Sequence, residues 1–209
     1  MLNADPNKLR FFYGTAPQPC PYLPGRQESK AVTELNTLDA VHLHDVLSRA
    51  GFRRSHSIAY RPACPRCNAC VPARVRVQEF QMTKSMRRTM RRNIGLTHHE
   101  TQAFATEEQY ELFRSYEQAR HSEGEMALMD FNDYRSMVED TPVDTVTVEF
   151  RDPSGTLAAV ALTDRLSDGL SGVYKFFSPQ RENLSPGTFV ILWHIERARA
   201  LRLSYFYLG

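Results

Sequence analysis

The sequence predicts an α+β fold built in two parts, and three observations carry that reading. The second half runs as three consecutive strands divided by tight turns, then a helix, then a closing strand. The first half is punctuated by prolines and a compact run of cysteines, with no regular strand–helix alternation. Charge also divides between the halves. Residues 1–100 hold 16 Lys+Arg against 7 Asp+Glu (net +9), residues 101–209 hold 10 against 17 (net −7), and the whole chain is +2. A basic half suits a phosphate-rich partner, or complements the acidic half across an interface.

The opening is loop-like, broken by Pro17, Pro19, Pro21, Pro24 and Gly25. A helix is expected from about Asp39 to Arg49, with Leu38, Val41, Val46 and Leu47 on its apolar face and Gly51 ending it. A strand near Ser57–Tyr60 follows, then the cysteine loop. Ala73–Val77 alternates as a strand with its arginines on one face. Between Thr83 and Asn93 a helix is expected, because Met82, Met86, Met90 and Ile94 recur every four residues as a core stripe. Lys84, Arg87, Arg88, Arg91 and Arg92 fall off that stripe, with no acid between Phe80 and Glu100. Such a face is either solvated surface or a contact for nucleic-acid phosphates.

In the second half Thr106 caps a helix to Gln118, with Glu107 and Glu108 placed favourably in its first turn. Another helix covers about Asn132–Glu139. Strands follow at Thr145–Phe150, Thr156–Thr163 and Leu170–Phe177, joined by Asp152–Gly155 and Asp168-Gly169 turns. Ser185 and Pro186 read as the cap and first residue of a helix to about Arg202, and Leu203–Leu208 is the closing strand. This order resembles the core of a GCN5-related acetyltransferase (GNAT) domain. The expected architecture is an N-terminal cysteine-containing domain, residues 1–100, packed on a GNAT-like domain, residues 101–209.

Nothing approaches the ~20 apolar residues of a membrane span, and Met1–Gly14 lacks the apolar core of a signal peptide. The chain therefore reads as cytoplasmic, and its four cysteines as reduced thiols or metal ligands. Cys64, Cys67 and Cys70 form C-x2-C-x2-C, and Cys20 is the remaining cysteine. Two-residue gaps let a tight loop aim successive sulfurs at one centre. Four such sulfurs suit zinc or a [4Fe–4S] cluster equally, and unliganded thiols are the plainer alternative. A fully liganded centre would have no open position for catalysis.

A family resemblance rests on motifs in one order along nearly the whole chain. They are Pro19–Arg26, Gly51–Ser55, Ile58–Pro62, Cys64–Val75, Lys84–Asn93, Arg120-His121 with Gly124 and Met126, Asp164–Leu166, Asp168–Ser171, Val173-Tyr174, Phe176-Phe177, Leu184–Thr188 and Tyr205–Gly209. The chain resembles the bacterial leucyl-tRNA–protein transferases (aspartate/glutamate leucyltransferases), relatives of the eukaryotic arginyl-tRNA–protein transferases. The resemblance implies leucyl-tRNA and proteins beginning with Asp or Glu as substrates. The product would be an N-end rule degradation signal read by a protease adaptor. In the eukaryotic relatives the N-terminal cysteines bind an iron–sulfur cluster, which makes Cys20, Cys64, Cys67 and Cys70 candidates here. Lys175 departs from the pattern, standing where a neutral residue is expected. Family members also continue past the position of Gly209, so the transfer domain is expected to be shortened at its C-terminus.

An aminoacyl ester is already activated, so the transfer requires no cofactor. The demands are a neutral acceptor amine, a donor for the oxyanion, and alignment of two substrates. Arg53, Arg54 and Arg61, with Arg120 behind them, are the candidates to grip an acidic acceptor side chain, and Tyr60 lies in the same signature. Tyr174, Phe176, Phe177 and Tyr207 are candidates for the leucyl pocket. Lys84, Arg87, Arg88, Arg91 and Arg92 would meet the tRNA backbone. Asp164 and His121 are the side chains considered for proton handling, with the tRNA ribose as an alternative. Competing functions are arginyl transfer, tRNA binding without activity and acyl-CoA N-acetyl transfer. The last would need a Gly-rich pyrophosphate turn where the chain reads Asn183–Gly187, with a single glycine.

Overall fold

The computed structural model describes residues 10–208. Most of the segment examined for a signal peptide, and Gly209 at the end of the last motif, lie outside the described residues. The first part contains β1 (Tyr13–Gly14), β2 (Gln18–Pro19), β3 (Gln27–Glu28), β4 (Lys30–Glu34), α1 (Ala40–Arg49), β5 (Arg53–Ser55) and β6 (Ile58–Pro62). Strands β1, β4, β6 and β5 form an antiparallel sheet in that order, and β2 pairs with β3 as a separate ribbon.

Helix α1 is where expected, but its inward face is not. Leu38, Val41 and Val46 are exposed, at 105%, 51% and 41%, while Leu43, Leu47 and the polar His44, Asp45 and Ser48 are buried. Hydrogen bonds dock this helix alongside its apolar contacts. His44 Nε2 lies 2.9 Å from Asp164 Oδ2, and Asp45 Oδ1 accepts from the Ser167 amide at 2.9 Å. Buried polar groups with partners are tolerated, so a periodicity built on apolar residues alone picks the wrong face.

The second part contains β7 (Arg74–Arg76), α2 (Lys84–Arg92), β8 (Thr97–Gln102), α3 (Glu107–Arg120), α4 (Phe131–Glu139), β9 (Thr145–Arg151), β10 (Leu157–Arg165), β11 (Gly169–Phe177), α5 (Pro186–Ala200) and β12 (Tyr205–Tyr207). Its sheet runs β7-β12-β11-β10-β9-β8, with β12 parallel to β11 and every other pair antiparallel. The strand–strand–strand–helix–strand order is the expected one. This sheet draws on both sides of residue 100: β7 lies before it, β8 spans it, and the two form the sheet's edges.

Helices cover both sheet faces. On one face Phe113, Tyr134, Met137, Val160, Leu162 and Phe176 pack together, and on the other Val148, Phe150, Ala159, Ala161, Phe177, Phe189 and Val190 do. Each large apolar side chain so buried contributes about 1.5–3 kcal/mol. Alternate residues of β10 enter opposite layers, which explains its unbroken apolar sequence. Phe176 and Phe177 likewise belong to the two cores, not to a ligand pocket.

Thr106 caps α3 as expected, accepting from the Gln109 amide at 3.2 Å. Ser185 does not cap α5. It sits in the left-handed region at φ 55° with no side-chain capping bond, and Pro186 opens the helix. Helix α2 buries no residue completely. Met82, Met86 and Met90 are half-buried and Ile94 is 84% exposed, so the expected core stripe is a shallow contact at which Met90 meets the α5 layer. The stripe ends where Asn93 leaves the helix and donates to the Leu184 carbonyl at 2.9 Å.

Candidate active site

The site is created by a divergence of strands. β12 pairs with β11 only through Gly169↔Tyr205, Leu170↔Phe206 and Ser171↔Tyr207. The first pair requires glycine, because a Cβ at Gly169 would lie 2.5 Å from the Tyr205 carbonyl oxygen. Beyond Ser171, β11 bulges: Thr163 faces Gly172 and Leu162 faces Tyr174, so the ladder skips Val173. Three cavities, of about 350, 250 and 620 Å³, meet here, and Val173 lines all of them.

The 350 Å³ cavity lies between the two sheets. Arg49, Arg53, Arg54 and Arg74 line it, together with Tyr60, Tyr207 and no Asp or Glu. Arg53 is exposed and has no hydrogen-bond or ion-pair partner among the described residues. Arg74 stacks 4.0 Å from the Tyr205 ring centroid and donates to the Tyr207 hydroxyl at 3.2 Å. That hydroxyl donates to Asp168 at 3.1 Å, and burial holds its proton on more firmly than in free tyrosine. Arg49 reaches Asp168 at 3.5 Å.

Arg54 also borders this space, but its guanidinium is spent. Nε and Nη2 donate to the two Asp164 oxygens at 2.8 Å each, and Nη1 donates to the His56 carbonyl at 2.9 Å. Asp164 is fully buried and also accepts from Thr145 at 2.8 Å. Burial alone would raise its pKa, but the bonds from His44 and Arg54 outweigh that and hold the carboxyl below its ordinary range. Asp164 lines none of the three cavities and its oxygens are saturated, so it does not handle a proton at substrate. The pair joins the two sheets. Arg61 does not line the cavity itself; it donates to the Ala50 carbonyl at 3.3 Å and lies over Phe52, both residues of the cavity wall.

The 250 Å³ cavity has an apolar wall of Ala161, Val173, Val190, Ile191, Phe206 and Leu208, with Tyr116, His121, Tyr174, Lys175 and His194 completing it. His194 donates from Nδ1 to the Val190 carbonyl (2.7 Å), so its Nε2 accepts from the Thr163 hydroxyl at 2.8 Å. Burial drives its pKa down to about 4, and the ring is neutral. Tyr174 donates to Glu117, and burial followed by that carboxylate keeps its phenol protonated. His121 faces the cavity. Arg120 does not, being paired with Glu182 at 2.5 Å and lying over Phe177. The 620 Å³ cavity brings Tyr60 and Tyr174 together with Met126, Met129, Glu125 and Asp133.

Of the residues singled out in the sequence, Arg53, Tyr60, His121, Tyr174 and Tyr207 line these cavities, and Arg49, Arg74 and the skipped Val173, which were not singled out, line them too. Arg74 was signalled by its alternation with Arg76. The bulge has no sequence signal, since Gly172 only permits it.

Comparison with known proteins agrees along the whole of this architecture. Residues 18–88 match the family model for the N terminus of arginine-tRNA-protein transferase, and residues 108–209 match the one for its C terminus. The chain belongs to the arginine-tRNA-protein transferase family. It is 57% identical over 199 residues to an aspartate/glutamate leucyltransferase of Paramagnetospirillum magneticum, covering 95% of this chain and 82% of that protein. To the protein of the same name in Gluconacetobacter diazotrophicus it is 53% identical over 209 residues, covering 100% and 80%. Among solved structures, L-PGS from Bacillus licheniformis superimposes with a TM-score of 0.50 at 14% identity, over 66% of this chain and 44% of that one. A putative lysylphosphatidylglycerol synthetase C-terminal domain from Agrobacterium fabrum gives 0.50 at 16%, over 66% and 45%. At those identities the fold alone is shared.

In this transferase-family chain the cations of α2 are unneutralised. Lys84, Arg87, Arg88, Arg91 and Arg92 are exposed, and none has a salt-bridge partner among the described residues. Arg92 donates to the Asn183 carbonyl at 3.3 Å, placing this face beside the loop that opens α5. None of the four cysteines lines the three cavities. Cys64 Sγ accepts from the Ser29 amide at 3.5 Å, and a hydrogen bond from the Ala69 backbone, with Arg26 nearby, lowers the Cys67 pKa. None of the four is in a disulfide. No group of three His, Cys, Asp or Glu among the described residues is gathered to hold a metal ion. The donor types suit zinc or an iron–sulfur cluster, but their arrangement does not converge, and no step of the chemistry is assigned to such a group. No helix among the described residues is long and apolar enough to cross a membrane.

Proposed function

We propose that this chain transfers leucine from leucyl-tRNA to the N-terminal amine of proteins that begin with Asp or Glu. The observation that carries it is the meeting, at the Val173 bulge, of a carboxylate-free arginine-lined cavity and one with an apolar wall. The first suits an acidic acceptor side chain, with Arg53 and Arg74 as its grip. The second suits the leucyl side chain, and Val173, Val190, Ile191, Phe206 and Leu208 form its wall. The same cavity has no Asp or Glu to meet a guanidinium, which favours leucyl over arginyl as the donor group.

The chemistry needs no activation step. The neutral amine attacks the ester carbonyl, the carbonyl–ribose oxygen bond breaks, and the proton lost by nitrogen ends on the ribose hydroxyl. The Val173 backbone, skipped by the β10–β11 ladder, would meet the oxyanion between the two cavities. Most of the acceleration comes from holding two substrates in register. His194 is not the base, since its Nε2 already accepts from Thr163. The exposed cations of α2 take the acceptor-stem phosphates. The setting proposed is the cytoplasm, where the leucylated product would pass to a protease adaptor.

The test is incubation of the full chain with radiolabelled leucyl-tRNA and proteins starting with Asp, Glu or Ala. Label on the first two and not the third supports the reading. Label on none, or transfer from acetyl-CoA instead, overturns it.

A further inference from the structure

Among the described residues that line the donor cavity Lys175 is the one Lys or Arg, and no Asp or Glu stands with it. It projects from β11 opposite Ala161, whose methyl leaves the space beside it open. It is largely covered, and it has no hydrogen-bond or ion-pair partner among the described residues. No carboxylate lines the cavity, His194 is neutral, and Tyr174 spends its hydroxyl proton on Glu117. An ammonium held out of water without a counter-ion is costly unless a ligand completes it. Burial lowers its pKa accordingly.

A ligand suited to this space brings an apolar group together with an anion, because Ala161, Val173, Val190, Ile191, Phe206 and Leu208 form an apolar wall beside Lys175. The 3′ end of an aminoacyl-tRNA has that composition: an acyl side chain on a ribose whose 5′ oxygen carries the last phosphodiester. The α2 cations run to the loop at Asn183 and Leu184, and the cavity wall begins at Val190, one turn into α5. A strand held on α2 therefore has a short path to Lys175.

We propose that Lys175 binds the 3′-terminal phosphodiester of the aminoacyl-tRNA and so positions the ester at the Val173 bulge. The inference rests on the transferase reading, and the test separates the two. The probe is an acceptor-stem hairpin RNA ending in a 3′-amide-linked leucine, made with a normal last linkage or with a neutral methylphosphonate there. The full chain and its Lys175→Met and Lys175→Arg variants are titrated with both, after circular dichroism shows that each is folded. Wild type is expected to bind the phosphodiester form at least about tenfold more tightly, the scale of one charge-assisted hydrogen bond. Lys175→Met should bind both forms alike, and Lys175→Arg should keep most of the preference. Equal binding of both forms by wild type overturns the inference while leaving the transferase reading intact. So does a Met variant that still discriminates tenfold. No binding of either RNA by folded wild type overturns both.

Discussion

Replacing Asp164 by Asn tests whether its carboxylate joins the two sheets. The change preserves shape but removes the charge that faces Arg54, whose side chain is 1% exposed. It also turns one acceptor into a donor among Arg54, His44 and Thr145, all of which now meet an oxygen. Breaking one side of a buried pair costs about 3–5 kcal/mol. With a urea slope of about 2 kcal/mol/M, the unfolding midpoint at pH 7 should fall by roughly 1.5–2.5 M. The pH dependence has a definite sign. The folded pKa of Asp164 is depressed below the unfolded value of about 3.9, so its contribution is whole above that value and is lost as pH falls through the lower folded one. The gap between wild type and variant should therefore narrow below about pH 4. A loss under 1 kcal/mol at pH 7, or a gap unchanged at pH 3, would refute the assignment. Arg54→Met with Asp164→Leu leaves neither charge of the pair and should recover at least half of the loss.

Other outcomes follow from the same geometry. Arg53→Ala should lower kcat/KM for acidic acceptors about tenfold or more while leaving leucyl-tRNA affinity within twofold; Arg61→Ala, which removes a side chain that does not line the cavity, should change neither by more than threefold. Replacing Arg88 and Arg91 together by Ala should weaken tRNA binding and reduce the log–log salt slope by about 2, measured by titration at several salt concentrations. Gly51→Ala should destabilise by about 1–3 kcal/mol in urea melts, because φ is +83° and a Cβ would meet Pro72 Cγ at 2.6 Å. In timed alkylation read by mass spectrometry, Cys67 should react ahead of Cys64, since the Ala69 backbone and Arg26 favour its thiolate.

Much of the fold could be read because its cues are local. The three hairpin strands, the Thr106 cap and the proline opening α5 depend on neighbours within a few residues, and each came where expected. Helix α1 was misread for the opposite reason. What selects its buried face is Asp164, 120 residues away, which gives His44 a partner inside the protein. Without sight of that partner, Val41 and Val46 look like core and His44 like surface. The same distance hid the partner of β7, which joins the second sheet only through β12, the last strand described.

The site was legible in its residue types but not in its roles, and Arg53 and Arg54 show why. The two are adjacent and chemically identical, yet strand alternation sends one to solvent beside a cavity and the other into a buried carboxylate. A motif containing both cannot say which one is free to bind a ligand. Lys175 inverts the case: it stands out by departing from the expected neutral residue, and the structure gives that departure a physical consequence, a covered ammonium with no internal counter-ion. A residue that breaks the local pattern without internal compensation is where an external ligand is needed to balance the energy, and here that place adjoins the point where the three cavities meet.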